Sequence, residues 1–355
     1  MILKGGVYMK TTTQKLSEWA INKITTEYKD DIALLIAVEN HSVNNDGHGE
    51  CFDYFIPATD RGFELSQTFI VEGVGHDLYP RSWERMERTA NLIDPCTVCL
   101  DNAKILYYRN EDDKNRFLML KKLLLGNLRN SEFLYKRVLE KLDNAMKLYQ
   151  TMVFESEMYR VRTAAGYISD YLSEIVFYLN KTYFKNWRNG HIAELQKLQY
   201  MPHNFIEYYA AIIKAKTIDE VKTLSYLLID VTRKFISTHK PNIKSQQVNV
   251  NYQEFASWYQ ELSLTWRKIR FYCDTNNAEL AFDNACYLQN ELILIKDEYG
   301  IDKDKVDLLG YFNDEDLSSI QKRAEEIEMY VIEVIEKNGV KISKYDTVDE
   351  FLNKN

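Results

Sequence analysis

The chain has 355 residues, 45% hydrophobic and 28% charged, so it is globular material too long for one small core and is expected to hold two or three domains. A net charge of -8 with no basic stripe argues against a duplex-binding protein, and no apolar run of about 18 residues exists to cross a membrane. Five scattered Cys do not suggest a disulfide framework, and MILKGGVYMK lacks the apolar stretch of a secretory signal, so a cytoplasmic location is expected.

Residues 10–29 read as an amphipathic helix carrying Leu16, Trp19, Ala20 and Ile24. Ile32–Val38 is a short apolar run bounded by charge, the pattern of a strand buried on both faces. A polar loop with Asn40, His41 and Ser42 follows, then residues 51–56 alternate and stop at Pro57, a second strand. Residues 68–71 and 76–79 flank Gly73 and Gly75 as a hairpin. Ser82 is a good N-cap for a helix to about Leu92. Residues 103–108 are one more strand, and Glu111–Asp113 open a helix to about Leu125 with acids at its positive end.

From Glu132 the strand signals vanish. Residues 131–240 hold apolar-periodic helical segments, among them 159–178 with Tyr167, Tyr171, Ile175 and Tyr178 as its stripe. Residues 238–247 are polar, contain Pro241 and read as a linker before three or four further helices over 250–340. The expected class is α+β: a small mixed sheet over residues 1–128, a helical bundle over 129–242 and a second over 243–355. Broad helix faces rich in Tyr also suit a homodimer surface.

Within the first part, strict alternation puts Asp53 on one face of its strand with Cys51 and Phe55, and Tyr54 and Ile56 on the other. If the hairpin strand bearing Asp77 neighbours it, the two carboxylates converge beside a hydroxyl loop. That is equipment for metal-assisted phosphoryl or nucleotidyl transfer.

This order of elements and residues resembles the minimal nucleotidyltransferase domain of the DNA polymerase β superfamily, which includes the antibiotic nucleotidyltransferases. The signature there is an apolar strand, Gly-Ser, two acids one residue apart in a strand, and a third acid on a later strand. Ser42 matches the Ser, Cys51 and Asp53 the acid pair, and Asp77 the third acid. Residues 51–57 and 75–85 are also similar to uncharacterised bacterial nucleotidyltransferase-like proteins. The resemblance implies Mg²⁺ on Asp53 and Asp77, a nucleoside triphosphate whose phosphate meets Ser42 and His41, and a small polar acceptor. A carboxylate of the first bundle, Asp170 or Glu174, would take the acceptor's proton in a cleft between the two.

Two positions depart from the pattern. His41 stands where Gly would admit the triphosphate, and Cys51 where the first acid belongs. In the alternative register Asp53 is the first acid and Phe55 replaces the second, so one carboxylate is absent either way. A non-catalytic nucleotide-binding or regulatory protein on the same fold is the competing expectation. A third, a helical ribonuclease or toxin–antitoxin component, rests on the Arg233–His239 spacing, which reads more simply as a helix end with a cationic cap. Cys96 and Cys99 form a CxxC read as two ordinary thiols near a strand; His41, His48 and His76 read as separate residues, and Trp187, Trp258 and Trp266 as packing groups. Residues 325–328, with three Glu, read as a solvated helix face.

Overall fold

The computed structural model describes residues 11–38, 52–185, 191–241 and 250–354. His41, Ser42, His48, Cys51 and Trp187 lie outside them. The chain divides into two compact units, Met1–Ile243 and Lys244–Asn355.

The first unit begins with α1 (Thr12–Glu27), β1 (Ile32–Val38) and β2 (Phe52–Pro57). A 3-10 turn over Asp60–Leu65 leads to β3 (Gln67–Val71) and β4 (Val74–Pro80). Then come α2 (Trp83–Ala90), α3 (Val98–Asp101), β5 (Ala103–Tyr108) and α4 (Glu111–Asn127). Helices α5 (Ser131–Val153), α6 (Met158–Leu179), α7 (His191–Leu195), α8 (Phe205–Lys214) and α9 (Ile218–Thr238) complete it. Local chemistry explains most boundaries. Thr11 and Gln14 form a capping box for α1, and Ser82 Oγ accepts from the Arg85 amide at 3.1 Å to start α2. Glu72 and Gly73 both have positive φ, the primed two-residue turn that suits a hairpin between β3 and β4.

The five strands form a mixed sheet in the order β3-β4-β2-β1-β5, with β2 and β4 parallel and the other pairs antiparallel. All seven residues of β1 are buried. One face packs on α1 through Ala20, Ile24, Leu35, Phe55 and Leu78. From the other, a single apolar cluster runs from Leu34, Ile36, Tyr54 and Ile56 through Met86 and Phe117 to α5, α6 and α9. In α6 the buried stripe is Val161, Ala165, Ile168, Leu172 and Ile175. Tyr167, expected on it, is half exposed, because the helix turns that edge away from α5 and α9.

In the second unit α10 (Tyr252–Asp274), α11 (Ala278–Glu298), α12 (Ser318–Lys337) and α13 (Val348–Lys354) follow one another. The core of this unit holds Phe255, Trp266, Leu288 and Ile327. Trp258 lies against this core with its Nε1 donating to Glu291 Oε2 at 3.2 Å, so both described tryptophans here are packing groups. Glu328 departs from the solvated face expected of residues 325–328. It accepts from Arg270 at 2.5 Å and from the Tyr259 hydroxyl at 3.0 Å, and its side chain is largely buried.

Gly62 marks the tightest backbone approach beneath the sheet. A Cβ there would lie 2.4 Å from the Asp31 carbonyl oxygen, which already accepts from the Ala58 amide at 2.7 Å. Gly62→Ala should therefore lower unfolding free energy in urea by about 1–3 kcal/mol. Gly166→Ala, in open space within α6, should raise it by about 0.5–1 kcal/mol.

Candidate functional site

Two places in the first unit collect chemically capable side chains. The first is the head of β2. Ala37 pairs with Phe52 and Ile36 with Tyr54, which leaves Asp53 as the extra residue of a β-bulge. The bulge changes the expected facing. Phe52 and Phe55 point to α1, whereas the Asp53 carboxylate joins Tyr54 on the opposite face, its Oδ2 accepting from Cys99 Sγ at 3.7 Å. Strict alternation fails there because one residue too many is fitted against β1.

Asp77 lies on the neighbouring parallel strand, two residues before the Tyr79 that pairs with Tyr54. His76 stacks on Phe69 toward α1, so Asp77 and Tyr79 occupy the same face as Asp53. Asp77 is exposed and its Oδ1 accepts from Thr68 Oγ1 at 3.0 Å. Among the described residues no group of three or more His, Cys, Asp or Glu is arranged to hold a metal ion. Mg²⁺ commonly takes one or two carboxylates together with substrate phosphates, and here the Asp53 carboxylate accepts from Cys99 and that of Asp77 from Thr68.

Arg81 is the group that sequence reasoning missed. It follows Pro80 at the end of β4, and its amide donates to the Phe55 carbonyl at 2.9 Å, drawing the side chain inward. The residue is only 3% exposed. Its Nη2 donates to Tyr79 Oη at 2.7 Å and to Cys99 Sγ at 3.4 Å, and its guanidinium lies 4.8 Å from the Tyr54 ring centroid and 5.3 Å from that of Tyr79. Nη1 is buried without a hydrogen-bond partner. Burial opposes the charge, but the Cys99 thiol, the Tyr79 oxygen and Cys96 together hold the Arg81 pKa above its ordinary value. Burial, then the Asp53 charge, pushes the Tyr79 phenol up to about 12, so it stays neutral at physiological pH.

The second place is an open groove of about 750 Å³ against α6, α7 and α8. Arg162, Tyr167, Asp170, His191, Gln196 and Tyr209 are among its walls. Asp170 Oδ1 lies 3.4 Å from His191 Nδ1, and the Tyr209 hydroxyl is 3.4 Å from that same nitrogen. Burial, then the Asp170 charge, pushes the Tyr209 phenol up to about 12. His191 had no sequence signal; it stands alone in a polar stretch. Glu174, one turn beyond Asp170, turns inward and pairs with Lys141 of α5 at 2.5 Å. Neither Asp53 nor Asp77 lines this groove, and neither do Arg233 and His239. His239 caps the end of α9 with its ring against Phe235, 4.2 Å between centroids.

No protein-family model matches the chain, and no curated protein matches it. Among solved structures it is similar to a nucleotidyltransferase-like protein from Exiguobacterium sibiricum 255-15. That likeness is distant: 13% identity and a TM-score of 0.35, over 62% of this chain and 74% of that one.

The Glu174–Lys141 pair gives a test with a defined sign. Burial, opposed by Lys141, raises the Glu174 pKa, so the folded chain takes up that proton at higher pH than the unfolded one. Lys141→Met leaves the carboxylate without its partner and should cost about 3 kcal/mol in denaturant unfolding near pH 8. The loss should shrink as pH falls toward the ordinary carboxylate value, because protonation of Glu174 then favours the folded state.

Proposed function

We infer that the chain is a nucleotide-binding or regulatory protein on a nucleotidyltransferase-like scaffold, with the transfer reaction weakened or lost. The observation that carries this reading is the head of β2. Two acids, Asp53 and Asp77, share a sheet face on adjacent strands, but Asp53 is joined through Cys99 to a buried cation, Arg81. In the sequence Cys51 stands where the resemblance implies a further acid. A guanidinium fixed in that setting opposes a divalent cation and offsets carboxylate charge that would otherwise repel phosphate. In this reading Ser42 and His41 meet the phosphates, and Asp53 and Asp77 accept hydrogen bonds from the rest of the nucleotide.

One observation favours the second reading, a transferase moving a nucleoside monophosphate to a small polar acceptor. Asp170 stands beside His191 in an open groove, which is where an acceptor's hydroxyl could lose its proton. Of the two acids considered for that role, Asp170 is the available one, since Glu174 is engaged by Lys141.

Calorimetric titration with ATP and the other nucleoside triphosphates, with and without Mg²⁺, separates the readings. The binding reading expects a nucleotide to bind with less than about a threefold effect of Mg²⁺, and Asp53→Asn with Asp77→Asn to weaken it about tenfold or more. Binding that requires Mg²⁺ and vanishes in the double variant would install the transferase reading in its place. No binding of any nucleotide by folded protein would overturn both.

A further inference from the structure

The CxxC of residues 96–99 is not used by the site above except through one thiol, and its surroundings are unusual for two inert cysteines. Cys96 has φ of 61°, a left-handed conformation that a non-glycine residue rarely takes. The Cys99 amide donates to the Cys96 carbonyl at 2.9 Å, closing a turn across the motif. Such a turn holds its end Cα atoms within about 7 Å, the range in which a disulfide can form. Cys96 is half-buried and Cys99 buried.

Arg81 supplies the second observation. Among the described residues no Asp or Glu forms an ion pair with this buried guanidinium, and its remaining neighbours are neutral phenols and the two thiols. A buried cation needs a counter-charge; the Asp53 carboxylate reaches this one only through Cys99, and a thiolate of the pair would supply one closer at hand. The Cys99 thiol, then Arg81 and Arg85, lower the Cys96 pKa to about 7 against the opposing effect of burial, while the Cys96 thiol and burial raise that of Cys99. The directions agree with the exposures, the more accessible cysteine being the one held lower.

We propose that Cys96 and Cys99 form a thiol–disulfide exchange site, in which Cys96 attacks a low-molecular-weight disulfide and Cys99 resolves the adduct. In the first step the Cys96 thiolate bonds to one sulfur of the reagent, the reagent's S–S bond breaks, and one thiolate leaves and takes a proton from solvent. In the second, Cys99 attacks the Cys96 sulfur, its proton passing to the second departing thiolate. The cysteine pair loses two electrons and two protons, and the reagent is reduced to two thiols. This assignment stands independently of nucleotide binding.

The probe is oxidised glutathione added to the reduced full-length chain, followed by acid quench, alkylation in denaturant and peptide mass mapping. Wild type should lose two alkylatable thiols and yield a Cys96–Cys99 disulfide. Cys99→Ser should instead accumulate one glutathione adduct on Cys96, and Cys96→Ser should give neither product. In limited alkylation of native protein, Cys96 should react at least about tenfold faster than half-buried Cys286. Arg81→Met should remove that advantage while Arg81→Lys keeps part of it, with circular dichroism checking the fold of each. If Arg81→Met does not fold, the two Cys variants decide alone. Cys96 reacting no faster than Cys286, an adduct mapped elsewhere in Cys99→Ser, or oxidation that leaves both thiols free would overturn the assignment.

Discussion

A strand with no exposed residue needs a layer on each side, and the first unit is arranged to meet that need at β1. Ile32, Leu34, Leu35 and Ile36 are fully buried, and each such side chain is worth roughly 1.5–3 kcal/mol of transfer free energy. Helix α1 covers one face; α2, α4 and the helices beyond cover the other. The two faces are not filled by simple alternation. Register shifts near Ala33 and Asp53 let β1 and β2 switch which face successive residues serve. The second of these shifts brings Asp53 to the side where Arg81, Tyr79 and Cys99 lie.

The cluster at the head of β2 follows from that displacement. Turned the other way, Asp53 would lie in the apolar layer against α1 beside Phe52 and Phe55, at the cost of an unsolvated carboxylate. On the side it occupies, it finds a thiol donor within a few ångströms of a guanidinium. Arg81 in turn is tolerated because aromatic faces, a phenol oxygen and sulfur surround it. A carboxylate, a cation and two thiols so close together form one electrostatic unit, so substituting any of them disturbs the others.

Much of the architecture was legible in the sequence. The charge-bounded apolar run gave β1 its limits, Gly73 and Gly75 marked the hairpin, and Ser82 set the start of α2. What could not be read depends on pairing between distant residues. The bulge at Asp53 exists only against β1, so alternation within residues 51–56 misassigned its face. Arg81 carried no motif, and its burial arises from the Phe55 carbonyl that catches its amide. The CxxC was visible, but a cation 15 residues earlier in the chain gives it its character. Asp170 and Glu174 looked equivalent one turn apart; Lys141, on another helix, separates them. Tyr259 and Arg270 likewise draw Glu328 out of what reads as an acidic surface run.

Among the described residues the second unit closes its apolar core from residues after position 249, and the cores of the first use none of these. Side chains that share no packing partners are free to drift apart over evolutionary time, because a volume lost at one is not made good at the other. Compensating substitutions for a change at Trp266 should therefore arise among Phe255, Leu288, Ile327 and their neighbours, and none within the layers around β1.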